Sequence, residues 1–160
     1  MHNGRPSYPH IHQISVSDGG VPKRPVLEAK VGTDGVEGDR QENLKFHGGP
    51  DRAVCLFSME LIERLQDEGH FIDAGLSGEN LTLAGLDWEL MRPGVRLTVG
   101  PDVELEVTSY TSPCSKNGQW FRDDDFSRIS QTKNPGWSRV YAKVLCGGIV
   151  RPGDEVTLKM

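Results

Sequence analysis

Cys114 stands in the segment Tyr110-Thr111-Ser112-Pro113-Cys114-Ser115-Lys116-Asn117, directly after the most regular strand pattern in the chain. Pro113 fixes its own backbone and lacks an N–H, so the thiol is expected on a stiff, polar loop. Lys116 follows two residues later, and thiolates form most readily beside cations. On these residues alone an ordinary exposed loop cysteine and a functional thiolate both stay open. Cys55 lies in the apolar run Ala53-Val54-Cys55-Leu56-Phe57 and is expected to pack as a small hydrophobe. Cys146 is expected in the core or at a strand end, beside Gly147-Gly148. Three cysteines without a C-x-x-C describe neither a disulfide framework nor a structural zinc site, and they fall short of the four thiolates of an iron–sulfur cluster.

A second group of chemically capable residues lies between Gly32 and Arg52. It reads Gly32-Thr33-Asp34-Gly35-Val36-Glu37-Gly38-Asp39-Arg40, then Lys45-Phe46-His47-Gly48-Gly49-Pro50-Asp51-Arg52. Arg40, Lys45, His47 and Arg52 are donors suited to a phosphate or oxyanion, and the glycines let backbone approach a ligand closely. A long solvated loop has the same composition. The spacing matches neither G-x-G-x-x-G nor a Walker lysine motif. A third group is Leu76-Ser77-Gly78-Glu79-Asn80-Leu81, where Asn80 can turn the chain and Glu79 can act as acid or base or orient a donor. His2, His10 and His12 lie near the terminus and are expected to face solvent. His70 follows a helix whose negative end it suits. There is no H-E-x-x-H and no G-x-S-x-G.

These groups need a scaffold, and the chain has the means for one. A length of 160 residues suits one domain, residues 1–160, with one real core. The 19 Gly and 10 Pro make up about 18% of it, against a usual 12% or so, which favours short strands and turns over a helical bundle. Val103 to Thr108 alternates strictly and places Val103, Leu105 and Val107 on one buried face. Arg139 to Val144 repeats this with Val140, Ala142 and Val144 inward, and Val95 to Val99 and Glu155 to Leu158 follow suit. Earlier strands are expected at His12 to Val16, Val26 to Val31, Ala53 to Phe57 and Asn80 to Leu83. One helix is expected after Ser58, with Leu61, Ile62 and Leu65 as its apolar stripe and Gly69 past its end. A second, shorter one is expected around Asp123 to Ile129. The expected fold is mainly β, a closed or nearly closed barrel with one or two short helices. A net charge of −5 argues against a nucleic-acid or anionic-membrane partner. No apolar run is long enough to span a bilayer, and no signal-peptide core opens the chain, so the cytoplasm is the expected compartment.

Taken in order, the clusters resemble the MOSC family, named for the C-terminal domain of molybdenum cofactor sulfurase. Gly35-Val36-Glu37-Gly38-Asp39 looks like its first glycine–aspartate segment, and His47-Gly48-Gly49-Pro50-Asp51-Arg52-Ala53-Val54 like its H-G-G-x-x-x-A-V signature. Ser77-Gly78-Glu79-Asn80-Leu81 is similar to its G-E-N-L block, Pro113-Cys114 to its characteristic cysteine, and Gly148-Ile149-Val150-Arg151-Pro152-Gly153-Asp154 to its closing turn. The resemblance implies a barrel that binds a molybdenum cofactor (molybdopterin), with Cys114 as metal ligand. It implies cofactor contacts at Asp39, Arg40, Lys45, His47, Gly48, Gly49 and Asn80, and catalytic parts for Cys114, Glu79 and His47. The implied activity is that of an oxidoreductase component acting on small N-hydroxylated compounds, such as a hydroxylamino purine or an amidoxime. Electrons would come from a separate flavin or iron–sulfur reductase. A non-redox carrier, delivering sulfur or cofactor to an accepting enzyme, is the alternative, and a barrel that has lost its cofactor is a third. The sulfurase's pyridoxal-phosphate domain has no counterpart here, so pyridoxal phosphate is an association of the wider family only.

Overall fold

The computed structural model describes residues 6–39 and 49–159. Eleven strands are present among them: β1 (His10–Val16), β2 (Arg24–Val26), β3 (Ala29–Gly32), β4 (Gly35–Val36), β5 (Val54–Ser58), β6 (Leu81–Ala84), β7 (Arg96–Val99), β8 (Val103–Tyr110), β9 (Val140–Cys146), β10 (Gly148–Val150) and β11 (Val156–Lys159). Eight form one sheet in the order β11-β7-β8-β9-β5-β6-β1-β2, and β10-β3-β4 form a second. The large sheet is mixed, because β5 and β6 run parallel while their neighbours pair antiparallel. A parallel pair needs a crossover of a dozen or more residues. Helix α1 (Met59–Asp67) lies in that connection.

Helix α1 follows from its sequence. The Ser58 side chain accepts from the Leu61 N–H, and Leu61, Ile62 and Leu65 are buried. The second expected helix does not form as an α-helix. Arg122–Asp124 and Phe126–Ile129 are separate 3-10 turns, and Asp123 and Asp124 have φ of 58° and 54°. Two successive left-handed residues cannot continue a right-handed helix. The run Val26 to Val31 is likewise not one strand, because the chain leaves the large sheet after Val26 and enters the small one at Ala29.

The expected barrel is not closed by a continuous ladder. β1 gives one edge to β6, and Ile14 to Val16 on its other edge pair with β2. Only its first residues remain for β11. The sheet stays open, with β11 and β2 as its rims, and the start of β1 meets the chain before β11 only at the isolated bridge His10↔Glu155, supported by bonds from Ile11 N to Asp154 O (2.9 Å) and Val156 N to Pro9 O (2.8 Å).

Alternation is as expected where it matters. Val103, Leu105, Val107, Val140 and Ala142 are buried in the core, while Val144, also expected inward, is only partly buried against it. Cys55 pairs with Tyr141 across β5 and β9, one residue out of step with the core pairs Val54↔Ala142 and Leu56↔Val140. Cys55 and Tyr141 thus occupy the sheet's other face, and both are buried there. The chain after β8 returns across that face, with Thr111 Oγ1 3.8 Å from the Cys55 sulfur. Among the described residues no helix is long and apolar enough to cross a membrane.

Candidate functional site

Asn80, at the start of β6, braces three segments instead of merely turning its own loop. Its Oδ1 accepts from the Cys55 N–H (2.9 Å), and its Nδ2 donates to Asp39 Oδ2 (2.8 Å) and to the Ser15 carbonyl (3.4 Å). Asp39 in turn receives Lys23 Nζ on both oxygens, at 2.7 and 2.9 Å, and the Ser17 N–H at 2.9 Å. Lys23 and Asp39 expose only 6% and 4% of their side chains. The pair is therefore a buried ion pair whose remaining lone pairs are satisfied, the condition for such a pair to be tolerated. It holds the chain at residue 39, where the donor-rich segment begins. Arg40, Lys45, His47 and Gly48 lie outside the described residues.

Glu79 has no solvent exposure. Its carboxylate accepts from Gly75 N (3.0 Å), Ser77 Oγ (3.2 Å) and Thr82 Oγ1 (2.9 Å). Burial pushes its carboxyl above the usual range, while these donors pull the other way. The geometry makes Glu79 the organiser of its own loop. Gly78 is needed in that loop because its φ is +109°, and a Cβ there would stand 3.2 Å from Val21 Cγ1.

Cys114 is exposed and unpaired, at the entry to the 3-10 turn Ser115–Trp120. Asn117 closes a reciprocal cap around it. The Asn117 N–H donates to the Cys114 side chain, and the Cys114 N–H donates to Asn117 Oδ1 (3.2 Å). Asn117 is buried, and its Nδ2 donates to the Ser77 carbonyl at 3.0 Å. The same carbonyl receives Arg139 Nη1 at 2.6 Å, and Arg139 Nη2 is 3.5 Å from the Ser112 carbonyl. Arg139 is 5% exposed, and its buried Nε has no partner.

Tyr141 connects this turn to the glycine-rich signature. The Arg52 guanidinium lies 5.7 Å from its ring centroid. Burial is the main cause that raises its hydroxyl pKa, and both Cys55 and Cys114 are close enough to add to the rise. Cys55, fully buried below, has its thiol pKa raised by the same loss of water. Cys146 is exposed at the end of β9.

The structure therefore brings together Asp39, Asn80 and Glu79, and ties Cys114 to the Ser77–Asn80 segment through Asn117. Gly49 has a φ of +93°, and among the described residues a Cβ at that position would meet nothing within 4 Å. Sequence reasoning missed Lys23, Asn117, Arg139 and Tyr141. Period two did place Arg139 and Tyr141 opposite Val140 and Ala142, but it gave no sign that this face would be covered. Among the described residues no group of three or more His, Cys, Asp or Glu side chains is placed to hold a metal ion. A metal bound at Cys114 would take further ligands from a cofactor. The residues present suit a molybdenum–pterin group: an accessible soft thiol, a cation over an aromatic ring, and uncrowded backbone at Gly49.

A family model described as the MOSC domain matches residues 43–157. The Bacillus subtilis (strain 168) protein YflK is 33% identical over 144 residues, covering 87% of this chain and 62% of that protein. Protein YiiM of Escherichia coli (strain K12) is 31% identical over 127 residues, covering 71% of this chain and 56% of that one. The chain thus spans less than two thirds of the length of either. Among solved structures, YiiM from Geobacillus stearothermophilus superposes with a TM-score of 0.73 at 27% identity, over 95% of this chain and 75% of that one.

Proposed function

The chain belongs to the MOSC domain family, and on that premise we propose that it binds a molybdenum cofactor through Cys114 and works as a reductase component on small N-hydroxylated compounds. The observation that carries this is the exposed Cys114 thiol, capped by Asn117 and anchored to the Ser77–Asn80 segment. A Gibberella moniliformis relative, 30% identical over 129 residues, bears the name reductase; this chain covers 22% of it. That name supports a redox role over a carrier role.

When bound, the molybdenum centre supplies two-electron redox chemistry. Cys114 offers it a soft, anionic sulfur. Arg52, over Tyr141, supplies a positive charge suited to the negative phosphate of a pterin cofactor. Arg40, Lys45, His47 and the Gly48–Gly49 backbone are assigned to the same anion. Asp39 and Asn80 act one step back, holding the start of that segment against β1 and β5. Glu79 spends its oxygens on its own loop, so proton delivery to substrate is assigned to His47. Electrons are assigned to a separate flavin or iron–sulfur reductase.

The test is metal content by mass spectrometry after expression in a cofactor-producing host, wild type beside Cys114→Ser. At least a tenfold loss of molybdenum is expected in the variant. Equal retention removes Cys114 as ligand. Reduction of a hydroxylamine substrate with a reducing partner added then separates reductase from carrier.

A further inference from the structure

The Ser77 carbonyl is a junction. A carbonyl oxygen has two lone pairs, and here both donors come from buried side chains: Asn117 Nδ2 at 3.0 Å and Arg139 Nη1 at 2.6 Å. Asn117 lies three residues beyond the thiol. Arg139 enters β9 and also reaches back to Ser112, two residues before the thiol. The Cys114 turn is thus held on both flanks, and both holds converge on one backbone atom of the segment that carries Glu79 and Asn80.

Asn117 does more than cap. A capping partner needs only its Oδ1, which takes the Cys114 N–H. Its Nδ2 is a separate contact, 40 residues distant in sequence. That contact holds the Asn117 backbone where its N–H meets the Cys114 sulfur. Hydrogen bonds to a ligating sulfur tune the centre it binds.

We propose that Asn117 is a positioning residue for Cys114: through the Ser77 carbonyl, with Arg139 as the second tie, it sets where the sulfur stands relative to the Asp39–Asn80 network. The proposal rests on Cys114 being the cofactor's ligand.

Asn117→Asp separates the two roles of the side chain, because it keeps an oxygen for the Cys114 N–H and loses the donor to Ser77. A role confined to capping leaves this conservative variant loaded with cofactor. The positioning role predicts at least a fivefold fall in molybdenum per protein after gel filtration, in protein whose circular dichroism shows it folded. Asn117→Ser, which lacks the amide Nδ2, carries its hydroxyl on a shorter side chain and adds no charge, is measured beside it in case the aspartate does not fold. Arg139→Lys is expected to fall in the same direction, since one ammonium cannot span the Ser77 and Ser112 carbonyls. In cofactor-free protein, hydrogen exchange at residues 112–118 should speed up at least tenfold in Asn117→Asp while the strands keep wild-type rates. Molybdenum content within twofold of wild type, or unchanged exchange over 112–118, overturns the inference. Failure of the underlying ligand assignment looks different: Cys114→Ser itself then retains the metal.

Discussion

Removing the charge of Lys23 is the sharpest perturbation of the scaffold beneath the site. Its ammonium meets both oxygens of Asp39, at 2.7 and 2.9 Å, and the two side chains are 6% and 4% exposed. Lys23→Met keeps most of the apolar stem and deletes the cation. Asp39 is then left as a buried anion with, among the described residues, two neutral donors, the Ser17 N–H and Asn80 Nδ2. Breaking a buried pair by removing one partner costs roughly 3–5 kcal/mol, because an uncompensated charge remains. At about 2–4 °C per kcal/mol for a domain of this size, the melting temperature should fall by roughly 6–20 °C. Urea unfolding with an unchanged m-value is the companion measurement. Lys23→Met/Asp39→Asn removes both charges at the cost of one of the two acceptors that Ser17 N–H and Asn80 Nδ2 use, and should recover part of the loss. A single-variant loss below about 1 kcal/mol, or a double variant no better than the single, would refute the claim that this ion pair is a buried, dry brace.

Two pH effects of opposite sign follow from carboxylates in different settings. Burial raises the Glu79 carboxyl, so its stabilising contribution is full below the ordinary value of 4.5 and is lost as pH rises through the raised folded value. Glu79→Gln should flatten that decline in a urea titration across pH. Glu68 is lowered, first by its hydrogen bond from Arg128, so its contribution is present above 4.5 and fades as pH falls through the lower folded value. Arg128→Met should weaken that acid-side fade, leaving the part due to His70, with only a small effect at neutral pH because the Glu68 side chain is 41% exposed.

Much of the scaffold is legible in the sequence because its signals are local. Alternation at Val103 to Thr108 identifies the core face of β8, and Ser58 with the Leu61-Ile62-Leu65 stripe identifies α1. The polar residues from Asp123 to Ile129 suit a helix start, yet Asp123 and Asp124 take positive φ and the helix does not form. The expected closed barrel fails because β2 claims the free edge of β1, and no local pattern encodes that competition.

The chain's own order of residues determined the family, the clusters rich in glycine and charge, and a polar turn bearing Cys114 after a regular strand. These are short-range properties, set by residue type and spacing. Tertiary structure decided which side chains serve those clusters. Lys23 lies 16 residues from Asp39, Asn117 is 40 from Ser77, and Arg139 is 62 from Ser77. Each such bond requires two distant segments to be packed together and closed off from water, and only then does its polarity become a positional constraint.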